Sequence, residues 1–139
     1  MELKVRTKEA ITNPEQIAEI FQAIQKADNE IDRMKERCWT LGLNTRNFIV
    51  YVELVSMGTL NASLVHPREI FRLAIMRGGV SGILVVHSHP SSDPEPSQDD
   101  IAITKRLYEA GKIIGIELLD HIIVTDGPAF VSLKAQGKL

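Results

Sequence analysis

Apolar residues recur along the first part of the chain at helical spacing. Ile17, Ile20, Phe21, Ile24, Ala27, Ile31 and Met34 fall three or four positions apart, the rhythm of one face of a helix with 3.6 residues per turn. Asn13 followed by Pro14 supplies an N-cap and a first helical residue. A helix is therefore expected from residue 14 into the mid-thirties, with this stripe as its core face. Leu3-Lys4-Val5 alternates like a short edge strand. From Cys38 the rhythm changes to two: residues 38–43 and 48–56 predict two strands around the turn Asn44-Thr45-Arg46-Asn47, a hairpin. Residues 60–65 can add a third strand. Pro67 then opens a helix carrying Ile70, Phe71, Ala74 and Ile75 on one face, which Gly78-Gly79 ends. The unbroken run Ser81-Gly82-Ile83-Leu84-Val85-Val86 predicts a buried strand. A helix follows from Ser97 to about Ala110, closed by Gly111, then a strand around residues 116–124 and a last short segment at 129–133. Strands interleaved with helices in this order predict an α/β domain with a mixed central sheet flanked by helices.

No internal repeat, low-complexity tract or linker divides the 139 residues, so residues 1–139 are expected to form a single domain. The formal net charge is -2. That value is small and of the wrong sign for electrostatic capture of phosphates, and there is no Lys/Arg tract, so direct nucleic-acid binding is not indicated by charge. The one cysteine, Cys38, excludes an internal disulfide framework and fits a reducing compartment. The N-terminus lacks the apolar core of a signal peptide, and no run reaches the ~20 apolar residues of a membrane span. A cytoplasmic protein without a membrane partner is expected. The oligomeric state leaves no mark on the sequence.

The chemistry concentrates in His87-Ser88-His89-Pro90 and Ser97-Gln98-Asp99-Asp100. Two residues apart on a strand, the His87 and His89 imidazoles point to the same side, at the carboxyl end where open α/β sheets hold ligands. Asp100 adds a carboxylate from the first turn of the next helix. Two neutral nitrogens and one carboxylate suit a catalytic zinc, one per chain, with a coordination position left for water. A plainer reading also exists. Ser97 and Asp100 form a helix-start signal of the capping-box kind, and paired histidines can simply end a strand. The complete order, His-x-His, seven residues, Ser, two residues, Asp, across a strand-to-helix junction, favours the metal. Cys38 reads as a small buried hydrophobe, and Asp99, about 100° around the helix from Asp100, cannot easily reach the same ion. Asp93 and Glu95 lie in a proline-rich loop and are expected to be solvated. His121 reads as a core histidine or a support behind the ligands. His66 is expected at a helix N-terminus, where it could line a substrate groove.

His87-x-His89, Ser97 and Asp100 match the JAMM (MPN+ or JAB) metallopeptidase signature. The stretches Gly58-Thr59-Leu60-Asn61, His66-Pro67-Arg68-Glu69, His89-Pro90-Ser91, Asp93-Pro94-Glu95-Pro96-Ser97 and Leu119-Asp120-His121-Ile122-Ile123 resemble the RadC family in particular, from about Glu36 onward. The resemblance implies a cytidine-deaminase-like, JAB-type α-β-α sandwich and a zinc-dependent hydrolase of peptide or isopeptide bonds acting on a peptide or protein substrate. It places Glu36 where the family has its upstream glutamate, the general base for the attacking water. Ser97 would then donate a hydrogen bond to the developing oxyanion. Ser88 and Ser92 stand where the RadC pattern usually has Asn and Gly, and Ser88 makes the tetrapeptide similar to that of JAMM deubiquitinating peptidases. With no room before the domain for the helix-hairpin-helix segment of longer RadC proteins, a short free-standing form is expected. Two other readings remain. One is a RadC-like binding module in DNA-repair complexes with little or no hydrolysis. The other is a different His-x-His metalloprotein, which the absence of Asp-His after His89 and the strong helices oppose.

Overall fold

The computed structural model describes residues 1–3, 9–58 and 65–139. Its strands are β1 (Glu2–Leu3), β2 (Arg37–Leu43), β3 (Ile49–Met57), β4 (Gly82–His89), β5 (Glu117–Thr125) and β6 (Phe130–Ser132), and its helices are α1 (Pro14–Ala27), α2 (Glu30–Arg33), α3 (Pro67–Arg77) and α4 (Gln98–Ile114). The strands form one sheet in the order β1-β3-β2-β4-β5-β6. Only β4 and β5 run parallel; the other pairings are antiparallel. This is a mixed sheet, as the pattern predicts. A parallel neighbour needs a crossover, which α4 supplies.

Alternation along the central strands feeds a hydrophobic layer on each side of the sheet. Leu84 and Val86 of β4 join Trp39, Leu41, Ile122 and Val124 beneath Ile17, Ala18 and Phe21 of α1. Ile83 and Val85 join Cys38 and Leu118 beneath Ile70, Phe71 and Ala74 of α3 and Ile103 and Leu107 of α4. The metal-type residues of β4 therefore emerge on the α3/α4 side. Among the described residues no helix is long and apolar enough to cross a membrane.

Caps set the helix starts. Asn13 accepts from Gln16 N in a capping box before Pro14, and the Asn44 side chain accepts from Arg46 N and Phe48 N, both at 3.0 Å, to shape the hairpin turn. The first helix is shorter than its stripe predicts. It ends at Ala27 because Asp28 is extended, with ψ 158°, and Asn29 starts α2 by accepting from Asp32 N at 2.8 Å. Short polar side chains that bond nearby backbone compete with helix continuation. Ile31 and Met34 consequently lie 69% and 76% exposed, outside the core. Ile75 of α3 is also exposed, so that helix buries only Ile70, Phe71 and Ala74. Of the expected edge strand, Leu3 lies in β1 while Lys4 and Val5 lie outside the described residues, as do residues 60–64 of the expected third strand.

The end of α4 differs too. The helix continues through Gly111 to Ile114 and closes on Gly115, which is left-handed at φ 84°. Gly111 is instead a site of close approach: a Cβ there would stand 2.6 Å from the Ile116 carbonyl oxygen and 3.3 Å from Leu118 N. Gly111→Ala gains up to about 1 kcal/mol of helix propensity yet forces a methyl against backbone that cannot rotate away. The expected net result is a loss of about 1–3 kcal/mol in urea unfolding. A neutral or stabilising Gly111→Ala would mean that α4 does not pack this closely on β5.

Candidate metal centre

His87 and His89 lie at the carboxyl end of β4, with ring centroids 4.8 Å apart. Asp100, at the third position of α4, reaches between them. Its Oδ1 lies 3.0 Å from His87 Nδ1 and its Oδ2 lies 3.2 Å from His89 Nε2. One ligand atom from each of the three lies within 4.8 Å of the others, and no further group of three or more His, Cys, Asp or Glu side chains is so placed among the described residues.

The buried polar atoms fit a metal. His87 is 2% exposed, and neither ring nitrogen has a properly aligned hydrogen bond, the 3.0 Å approach to Asp100 included. Orphaned buried nitrogens of this kind are uncommon, and an ion is one of their standard explanations. His89 Nδ1 lies 3.1 Å from the Asp93 carbonyl oxygen. Donating its proton there leaves the Nε2 lone pair directed at the Asp100 carboxylate, an arrangement that a cation relieves and that is typical of metal-bound histidines. Burial pushes the Asp100 carboxyl up, but His87, His89 and Ser97 N outweigh it and hold the group well below the usual carboxylate range. The same carboxylate raises His89.

Ser97 sits at the N-cap of α4. Its hydroxyl accepts from Asp100 N at 3.1 Å, and Asp100 Oδ2 accepts from Ser97 N at 2.8 Å, so the predicted capping box is present. Accepting this bond uses a lone pair and leaves the hydroxyl proton available. Glu36, immediately before β2, borders the same cavity of about 440 Å³ as His87, His89, Pro90, Ser91, Ser97 and Asp100. A second groove, about 400 Å³, lies on the α1 side and is lined partly by Ile17, Leu84 and Asp120. There Asp120 is already satisfied by Ser132 Oγ at 2.5 Å, Lys134 N at 3.0 Å and His121 N at 2.7 Å, which leaves it no comparable chemistry.

Cys38 pairs with His87 across β2 and β4. Burial, with a smaller push from Asp100, raises its thiol to about 12, and the side chain packs in the cluster of Ile70, Phe71, Ile83 and Val85. His66 caps α3, accepting from Arg68 N at 3.3 Å, and does not line the cavity. His121 is fully buried, its ring centroid 6.0 Å from that of His87. Its Nδ1 lies 2.6 Å from Thr104 Oγ1, which also reaches the Asp100 carbonyl at 2.7 Å. Burial, mainly, lowers His121 to about 3, so it is neutral. From the sequence Asp93 is expected only as a solvated loop residue, and Thr104 carries no expected role. The first acts through a backbone carbonyl that no side-chain pattern marks, whereas the second stands four residues after Asp100, a spacing that could have been noticed.

The family model of the RadC-like JAB domain matches residues 11–138. The chain is 56% identical over 106 residues to a UPF0758 protein of Desulforamulus reducens, covering 76% of this chain and 46% of the relative. It is 52% identical over 106 residues to one of Methanosarcina mazei, covering 76% and 45%. It is 46% identical over 129 residues to one of Clostridium acetobutylicum, covering 93% and 53%. The chain thus spans about half the length of these relatives.

If these three side chains are the whole protein shell, dialysis against a divalent transition metal should load about one ion per chain. His87→Ala and His89→Ala should each lower affinity by at least roughly tenfold, and their double variant should retain none. Stoichiometric metal in the double variant, measured by atomic emission, would remove the assignment.

Proposed function

The chain belongs to the family of RadC-like JAB domains, and from that membership together with the site we propose that it is a zinc-dependent hydrolase of peptide or isopeptide bonds. The observation that carries the reading is the single cavity shared by the three ligating groups, Glu36 and Ser97. Two imidazole nitrogens and one carboxylate favour zinc and leave a position for water or substrate. A zinc ion held by His87, His89 and Asp100 would act as a Lewis acid and bring the acidity of water toward neutral pH.

The protein's own groups supply the rest. Glu36 takes the proton of the attacking water and delivers it to the departing nitrogen, so an amine rather than an amide anion leaves. Ser97 donates its free hydroxyl proton to the oxygen on which negative charge develops, while its lone pair keeps the N-cap bond to Asp100. His89 is held in one tautomer by the Asp93 carbonyl, and Thr104 braces the turn that presents Asp100. A protein or peptide with an accessible segment is the partner this cavity, lined also by Pro90 and Ser91, would take.

Glu36→Gln keeps size and hydrogen bonding but removes the base. It is expected to keep its zinc and melting temperature and lose roughly 10²-fold or more in turnover on peptide and isopeptide substrates. If the wild-type protein cleaves none of them and Glu36→Gln is fully functional in cells, a DNA-repair binding module becomes the better reading. The two roles of Ser97 also separate. Asp is as good an N-cap as Ser, whereas Ala costs about 1 kcal/mol. Ser97→Asp is therefore expected to fold at least as well as Ser97→Ala and be no more active, since an ionised Asp has no proton to donate. Near wild-type turnover in Ser97→Asp would leave Ser97 a cap alone.

A further inference from the structure

Between the two histidines, Ser88 points away from the metal side, because successive strand residues face opposite ways. It is 1% exposed, and its hydroxyl does not bond within its own strand. Ser88 Oγ accepts from Arg37 N at 3.0 Å and reaches the Lys35 carbonyl oxygen, more weakly, at 3.5 Å. These two backbone groups flank Glu36. The pairing of β2 with β4 ends at Cys38 opposite His87, and the serine side chain takes over where that ladder ends.

A residue's direction in space follows from its two backbone dihedrals, and each dihedral is fixed once the rigid peptide planes on either side are fixed. The plane before Glu36 carries the Lys35 carbonyl; the plane after it carries Arg37 N and the Glu36 carbonyl. One hydroxyl touches both planes, because it can accept and donate at once. The second plane has another anchor, Gly58 N donating to the Glu36 carbonyl at 2.8 Å. Arg37 itself cannot slide: its guanidinium is buried against Asp28 and near Gln25, 4.9 Å from the Trp39 ring centre.

We propose that Ser88 is a positioning residue, whose hydroxyl fixes both peptide planes around Glu36 and so aims the Glu36 carboxylate into the metal cavity. This rests on the reading of Glu36 as the general base. It gives the middle residue of His-Ser-His a function of its own: the same three-residue segment would hold the metal on one face of the sheet and steady the base from the other.

The test compares wild type, Ser88→Ala, Ser88→Thr, Glu36→Gln and the double variant Ser88→Ala/Glu36→Gln, all loaded with zinc, for metal content, kcat, KM and amide exchange. Ser88→Ala should hold one zinc per chain and keep KM, lose roughly 10- to 100-fold in kcat, and exchange the Arg37 amide at least tenfold faster while the amides of residues 39–43 stay protected. Ser88→Thr, which keeps the hydroxyl, should restore most of kcat. Because Ser88 acts only through Glu36, adding Ser88→Ala to Glu36→Gln should slow it little further. Full kcat in Ser88→Ala, or an equal slowing on both backgrounds, overturns the proposal while leaving the hydrolytic reading standing. Turnover that does not depend on Glu36 overturns that reading, and this one with it.

Discussion

A buried carboxylate must be compensated, and the Asp100 carboxylate is the group around which this domain is arranged. It is 2% exposed and meets four sources of compensation: His87, His89, the Ser97 amide and the amino end of α4. A helix N-terminus favours an anion, so the carboxylate that would ligate the metal also closes the helix that presents it. The strand, the loop and the helix are thereby tied at one point. Their joint stability is coupled to whatever cation lies among these groups, since binding to the native state alone stabilises it.

A second constraint acts across the sheet. Arg37 is 3% exposed, and a guanidinium so placed needs partners. Asp28 and Gln25 supply them from the end of α1, and Gln25 in turn donates to the Thr125 carbonyl at 3.0 Å. Thr125 pairs with His89 across β4 and β5. The end of α1, the entry to β2 and the exits of β4 and β5 are thus linked beside the cavity. The same demand explains the break in the first helix: Asp28 serves Arg37 instead of continuing the helical turn.

The fold alone does not define an activity, since one fold hosts many; the proposed hydrolysis rests on particular atoms. His87 has two buried nitrogens without bonds, His89 has its tautomer set by the Asp93 carbonyl, Ser97 has a proton to give, and Glu36 faces the same space. Of the five groups proposed as ligands or acid-base groups, His87, His89, Ser97 and Asp100 come from one strand-loop-helix unit. The fifth, Glu36, comes from a distant segment and depends on the sheet to arrive.

That division also separates what the sequence by itself determined from what the tertiary structure decided. His87, His89, Ser97 and Asp100 were legible because they follow local rules: alternation along one strand and the cap of one helix, both set by neighbours within a few residues. The mixed sheet and the α1, α3 and α4 segments were legible for the same reason. Glu36 was legible only through family resemblance, because its chemistry resembles that of any solvated glutamate; its place at the cavity comes from the register of β2 on β4 and from Ser88 and Gly58. Register is selected by packing on both faces of a sheet together, which no short window contains. Likewise Ile31, Met34 and Ile75 kept a helical rhythm yet lie exposed, and the helix expected to close on Gly111 runs on to Gly115. Periodicity states which side a residue would share with its neighbours; only the assembled layers decide whether anything lies opposite that side to bury it.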